Sequence, residues 1–171
     1  MSDIHEALET WILKELSVAD PNLNNLWPCP YAKKAWFKNQ VNVVEVSEDF
    51  WEALNEEIDK FNDTYRVVII AQQELFCEYT ELEDVCMALN RWFAFKKMDI
   101  WLLSFQTDVT MVFIQRLSDL DDASNNLLKQ GYYDNYEEED FDHLIAERSA
   151  RRQQDARNEK ETYENDAWWC G

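Results

Sequence analysis

A small α/β domain is what this sequence predicts, and three observations carry it. Apolar stretches of strand character alternate with stretches of helical spacing, as in a sheet covered by helices. Turn punctuation is sparse, with 2 Gly and 3 Pro in 171 residues, which argues against a turn-rich sandwich or barrel and against a Gly-rich phosphate loop. The chain is 46% hydrophobic and carries 8 Trp, 7 Tyr and 9 Phe, enough apolar volume for one packed core.

The elements follow in order. Ile4, Leu8, Trp11, Ile12 and Leu16 recur at near-helical spacing and predict an amphipathic helix over residues 3–16. A loop through Pro21 and a run of Asn leads to Pro28, and Pro30 is placed to open a short helix to about Lys38. Val41–Val46 reads as a strand with polar interruptions. Ser47 is expected to begin a helix bearing Phe50, Trp51, Leu54, Ile58 and Phe61. Arg66–Ala71 is a continuous apolar run of the kind a strand buried on both faces shows. Thr80 with Glu83 three residues later fits a capping box, and a long helix follows to about Met98. That helix is apolar on two faces: one stripe is Leu82, Val85, Cys86, Leu89 and Phe93, the other Ala88, Trp92 and Phe95. Such a helix is expected to be wedged in the core, its aromatics buried. Ile100–Phe105 and Val109–Ile114 read as a hairpin, and Ser118 with Asp121 caps a last helix that Gly131 stops. The expected fold is therefore a mixed sheet of about four strands covered by helices, over residues 1–133.

From Asp134 the character changes. Residues 134–171 hold 12 acidic and 5 basic residues, and Phe141, Leu144, Ile145 and Tyr163 are sparse anchors. This acidic arm is expected to be a solvated helix or partly disordered. It ends in Trp168-Trp169-Cys170-Gly171, and Trp168 and Trp169 could serve as a docking peptide or fold back onto the domain.

The formal net charge is −19, which opposes direct binding to nucleic acid or to anionic membranes. An acidic surface suits solubility, docking on a basic partner, or mimicry of nucleic acid toward a nucleic-acid-binding protein. No apolar run reaches the roughly 18 residues of a membrane span. The N-terminus lacks a basic and apolar leader, so a cytoplasmic location is expected. Cys29, Cys77, Cys86 and Cys170 form no CxxC, and with only His5 and His143 no zinc spacing appears, so free thiols, no metal and no cofactor are expected.

One segment looks chemically purposeful. In Trp27-Pro28-Cys29-Pro30-Tyr31-Ala32-Lys33-Lys34 a thiol stands where a helix is expected to begin, near unpaired N–H groups and the positive end of the dipole. Thiols near helix N-termini and cations ionise more readily than the ordinary cysteine. Between Pro21 and Val44 there is no Asp or Glu, whereas Lys33, Lys34 and Lys38 form a basic island. Two sites are open here: a reactive Cys29 thiolate stabilised by Lys33 and Lys34, or an anion site formed by Pro30, Tyr31, Lys33, Lys34 and Lys38. A buried cysteine with solvated lysines is the plain structural alternative.

Two resemblances rest on these residues. Cys29-Pro30-Tyr31-Ala32-Lys33-Lys34-Ala35 is similar to the active-site start of glutaredoxins, Cys-Pro-Tyr-Cys or Cys-Pro-Tyr-Ser entering a helix. Ala32 stands at the resolving position, so the resemblance implies monothiol chemistry at most, and an Asn-rich loop stands where glutaredoxins have a strand. Glu9-Thr-Trp-Ile followed by Leu26-Trp-Pro-Cys-Pro-Tyr-Ala-Lys-Lys and a Val-rich strand resembles an uncharacterised bacterial domain-of-unknown-function family with a Cys-Pro-Phe-Ala-Lys segment. That resemblance spans residues 7–133 and implies a shared fold. The family's late histidine is missing from Leu103-Ser104-Phe105-Gln106-Thr107, which argues against a Cys–His pair. The composition also resembles small phage-encoded proteins of cyanobacterial viruses, which would place it in a host cytoplasm. The sequence thus favours binding over catalysis: a small acidic protein docking a protein partner through its acidic surface or its arm, with a small anion at Cys29–Lys34. The alternatives are a monothiol redox or thiol enzyme using Cys29, and a nucleic-acid mimic.

Overall fold

The computed structural model describes residues 4–73, 77–138 and 148. The order is α1 (Ile4–Trp11), α2 (Ala32–Phe37), β1 (Val41–Glu45), α3 (Phe50–Lys60), β2 (Val67–Gln72), α4 (Tyr79–Phe95), β3 (Trp101–Gln106), β4 (Thr110–Gln115) and α5 (Leu117–Lys129). The four strands form one mixed sheet in the order β1-β2-β4-β3, so the α/β expectation holds. β1 is parallel to β2, and β4 is antiparallel to both β2 and β3. β3 therefore runs with β1 and β2, and both crossovers, through α3 and through α4, step across the sheet in one direction.

Residue parity sorts the two faces, as the two-residue period of a strand requires. Val44, Val46, Val68, Ile70, Ile100, Leu102, Val112 and Ile114 pack with Phe50, Leu54 and Ile58 of α3 and Leu82, Cys86 and Phe93 of α4. The odd-numbered Val41, Val43, Val67, Ile69, Ala71, Phe105, Met111 and Phe113 pack on the other face with Ile4 and Leu8 of α1, Trp11, and Trp36 of α2. Register fixes this sorting: Val68 lies opposite Ile114 and Ile70 opposite Val112. A one-residue slip would move every side chain to the wrong layer.

Several boundaries differ from the sequence reading, each for a local reason. The first helix is α-helical to Trp11 and continues as a π turn over Ile12–Leu16. Ile4, Leu8, Ile12 and Leu16 recur every fourth residue, which advances about 40° per step in an α-helix. The wider turn takes that drift back and leaves Ile12 buried. The capping box of α4 uses Glu78 and Glu81 in place of Thr80 and Glu83, so the helix starts earlier than expected. Asp99 caps α5 from outside: its Oδ1 accepts the Ser118 N–H at 2.9 Å and its Oδ2 accepts the Ser118 hydroxyl at 2.6 Å. Gly131, at φ 75°, ends α5 as expected.

The second apolar stripe of α4 is a correction. Trp92 is 50% exposed and Phe95 68% exposed, so these rings lie outside the core. The face of α4 centred on Leu82, Cys86, Asn90 and Phe93 meets the sheet, and the opposite face finds no layer among the described residues. Burial, with help from Glu83, pushes the Cys86 thiol on the sheet side up to about 12.

The α4 helix also seals the β3 edge of the sheet. Asn90, 2% exposed, donates from Nδ2 to the Leu102 carbonyl at 3.0 Å and accepts the Leu102 N–H on Oδ1 at 2.8 Å. Its amide stands in for a missing neighbouring strand. The Tyr79 hydroxyl donates to the Ser104 carbonyl at 3.3 Å, and Gln106 Nε2 donates to the Cys77 carbonyl at 3.2 Å. An unpaired edge is a template for aggregation, and these contacts blunt it. Asn90→Leu should lower stability by about 2–3 kcal/mol, because two buried backbone groups lose their partners. Urea unfolding followed by tryptophan fluorescence measures this, and an unchanged midpoint would deny the clamp its role.

Candidate functional site

The Cys29 segment is built on a compact loop. The Asp20 N–H bonds the Leu26 carbonyl at 2.9 Å, closing a turn in which Asp20 Oδ1 accepts the Asn22 N–H at 2.8 Å. Asn24 and Asn25 take the left-handed conformation, at φ 55° and 59°. With glycine nearly absent from the chain, Asn is the residue that enters this region at least expense. The Cys29 N–H then bonds the Leu16 carbonyl at 3.0 Å, tying the segment to the end of the first helix.

A second layer of contacts arrives from residues after α5. The Tyr132 hydroxyl donates to the Pro28 carbonyl at 2.7 Å, Asn24 Nδ2 donates to the Gly131 carbonyl at 2.6 Å, and Asn135 Nδ2 donates to the Asn22 carbonyl at 2.9 Å. The rings of Tyr132, Tyr133 and Tyr136 pack at centroid distances of 4.8–6.1 Å. Gly131 is favoured by its φ of 75°, while a Cβ there would come within 2.6 Å of Asp134 Oδ2, the tip of a side chain that can turn aside. This clasp holds the Asn loop and the Trp27–Cys29 stretch against the far end of the domain. Sequence reasoning missed it: nothing local marks Tyr132 or Asn135 as partners of residues more than a hundred positions away. Arg148 is also buried, its Nη1 donating to Ser124 Oγ at 2.8 Å.

The helix expected to start at Pro30 starts at Ala32, with Tyr31 at its N-cap. A turn comes first, closed by the Ala32 N–H on the Cys29 carbonyl at 3.2 Å, and Pro30 occupies its second position, where a fixed φ is favoured. Cys29 is half-buried. Burial pushes its thiol pKa up, and hydrogen bonds from the backbone N–H groups of Ala32 and Tyr31 pull it back only in part. Burial, then the Tyr136 phenol, also push the neighbouring Tyr132 hydroxyl up, with Tyr133 and Cys29 adding to the effect.

The remaining predicted residues face outward. Tyr31, Lys33, Lys34 and Lys38 are exposed and Pro30 is half-buried. The Lys33 ammonium lies 6.0 Å from the centroid of the Trp27 ring. Trp27 is 38% and Phe37 61% exposed, so the segment presents aromatic rings among its lysines. Trp168 and Trp169 lie outside the described residues, as does most of the arm from 134 to 171. Among the described residues no group of His, Cys, Asp and Glu could hold a metal ion, and no helix is long and apolar enough to cross a membrane.

With this geometry in hand, comparison with known proteins adds nothing further: no family model, curated protein or solved structure matches the chain.

Tyr132→Phe removes the hydroxyl that the clasp places on the Pro28 carbonyl. It should lower stability by about 1 kcal/mol and raise hydrogen exchange selectively at the Cys29 and Asn25 amides. Exchange that rises equally across the sheet would contradict a local clasp.

Proposed function

We propose that this protein acts by binding a protein partner, with the Trp27–Lys38 segment as a recognition surface. One observation carries the reading: the segment shows its rings and ammonium groups to solvent and withdraws its sulfur. Nucleophilic catalysis by cysteine needs an ionised thiol, and at Cys29 burial outweighs the two backbone hydrogen bonds that favour ionisation. Binding surfaces combine aromatic anchors with a charged rim, and Trp27, Tyr31 and Phe37 beside Lys33, Lys34 and Lys38 are such a set.

The chemistry of that surface favours carboxylate or phosphate groups set next to apolar side chains on the partner. It is a basic island on a chain of net charge −19. The surrounding acidic surface would discourage indiscriminate anion binding and draw basic portions of the same partner. The acidic arm with Trp168 and Trp169 is a second docking element in this proposal.

The test is a titration of isotope-labelled full-length protein with a Glu-rich peptide carrying one Trp, followed by amide NMR. Shifts should concentrate in Trp27–Lys38 and vanish in Lys33→Ala/Lys34→Ala/Lys38→Ala, with no response there to a Lys-rich peptide. No shift in the segment at millimolar Glu-rich peptide would end the proposal for this surface.

A further inference from the structure

We propose that α4 pairs with the α4 of a second copy of this chain, antiparallel, through the exposed stripe Val85, Ala88, Trp92 and Phe95. These residues stand at i, i+3, i+7 and i+10, the spacing of a two-helix seam, on the face of α4 turned away from the sheet. All four are exposed. The Trp92 and Phe95 rings stack at 5.8 Å, and the Lys96 ammonium sits 4.6 Å from the Trp92 centroid, forming one continuous apolar ridge.

The charges beside the ridge select the occupant. Its N-terminal half carries Glu81 in line with it and Glu78 and Asp84 on its flanks, and its C-terminal half is flanked by Arg91 and Lys96, with no acidic residue between Val85 and Met98. At 3.6 residues per turn, Asp84 and Arg91 lie on one flank of the ridge, and Glu78 and Lys96 on the other. A two-fold axis through Ala88 brings Asp84 of one copy to Arg91 of the other, and Glu78 to Lys96, each contact occurring twice. A parallel pair would instead oppose like charges. An isologous contact of this kind is self-complementary, as a closed dimer requires. Acids and bases nearly balance along this ridge, so two strongly acidic chains can approach here with little repulsion. The contact is one helix face, smaller than the roughly 800 Å² per partner of a standard interface, so association should be weak and concentration-dependent.

Sedimentation of the full chain from 2 to 300 μM tests this. We expect a monomer–dimer equilibrium, abolished by Trp92→Glu with the circular dichroism spectrum unchanged. Asp84→Lys and Arg91→Glu should each weaken self-association about ten-fold, and mixing the two variants should restore it. A parallel pair would be strengthened by Asp84→Lys, since the acid it opposes would then meet a base, and that result would overturn the arrangement. A chain monomeric at 300 μM would overturn the dimer. If it becomes dimeric only in Trp168→Ala/Trp169→Ala, the arm is what covers the ridge, and the second copy is ruled out as its natural occupant.

Discussion

Burial of β2 on both faces is the constraint from which the rest of the structure follows. Val68, Ile69, Ile70 and Ala71 are all buried, which no single layer of helices can achieve. The sheet must therefore be covered twice, by α3 and α4 on one face and by α1 with Trp11 and Trp36 on the other. At roughly 25 cal/mol per Å², a fully buried aliphatic side chain contributes about 1.5–3 kcal/mol, so these four neighbours outweigh any surface ion pair in the molecule. Pairs such as Lys60–Glu56 at 2.9 Å and Arg66–Asp119 at 3.5 Å lie in solvent and add little.

The need for two layers also explains the loop before β1. The chain must travel from α1 to a strand at the sheet edge, and it does so through a compact turn rich in left-handed Asn. Such a turn has little apolar content of its own to hold it. Stability comes from the residues just after α5, where Tyr132, Gly131 and Asn135 bond to Pro28, Asn24 and Asn22. The Cys29 segment is thus positioned by residues at both ends of the domain. Its sulfur is desolvated as a by-product of that packing, while Lys33 and Lys34, in the first turn of α2, remain in solvent.

Much of the fold was legible in the sequence because periodicity reports burial. The apolar run of β2, the hairpin of β3 and β4, the face of α1, and Phe50, Leu54 and Ile58 of α3 lie where the pattern puts them, while Trp51 is exposed and Phe61 stands just past the helix end. What escaped was set by distance along the chain. Asn90 reads as an ordinary helical residue, and only the tertiary fold reveals that its amide completes the sheet edge. Trp92 and Phe95 read as core because aromatic residues at helical spacing usually are, yet the described residues supply only one sheet for a helix apolar on two sides. At the candidate site the residue types were legible and their environment was not. The Cys-Pro pair signalled a helix start, but an intervening turn moved that start to Ala32 and left the thiol desolvated.

The functional reading stands on the protonation of one atom. A recognition surface needs Cys29 only as packing, whereas a thiol enzyme needs it ionised near neutral pH. The most direct measurement is the pH dependence of iodoacetamide labelling at Cys29 in the folded full-length protein, read by mass spectrometry. Burial raises this pKa, so the folded protein keeps the proton where an unstructured cysteine, with a pKa of about 8.5, has begun to lose it. Slow labelling is expected, with its half-maximal rate at a higher pH in the folded protein than in the urea-unfolded chain, where the thiol returns to the ordinary cysteine range of about 8.5. Half-maximal labelling below about pH 7.5 in the folded state would contradict it and make Cys29 a tuned nucleophile.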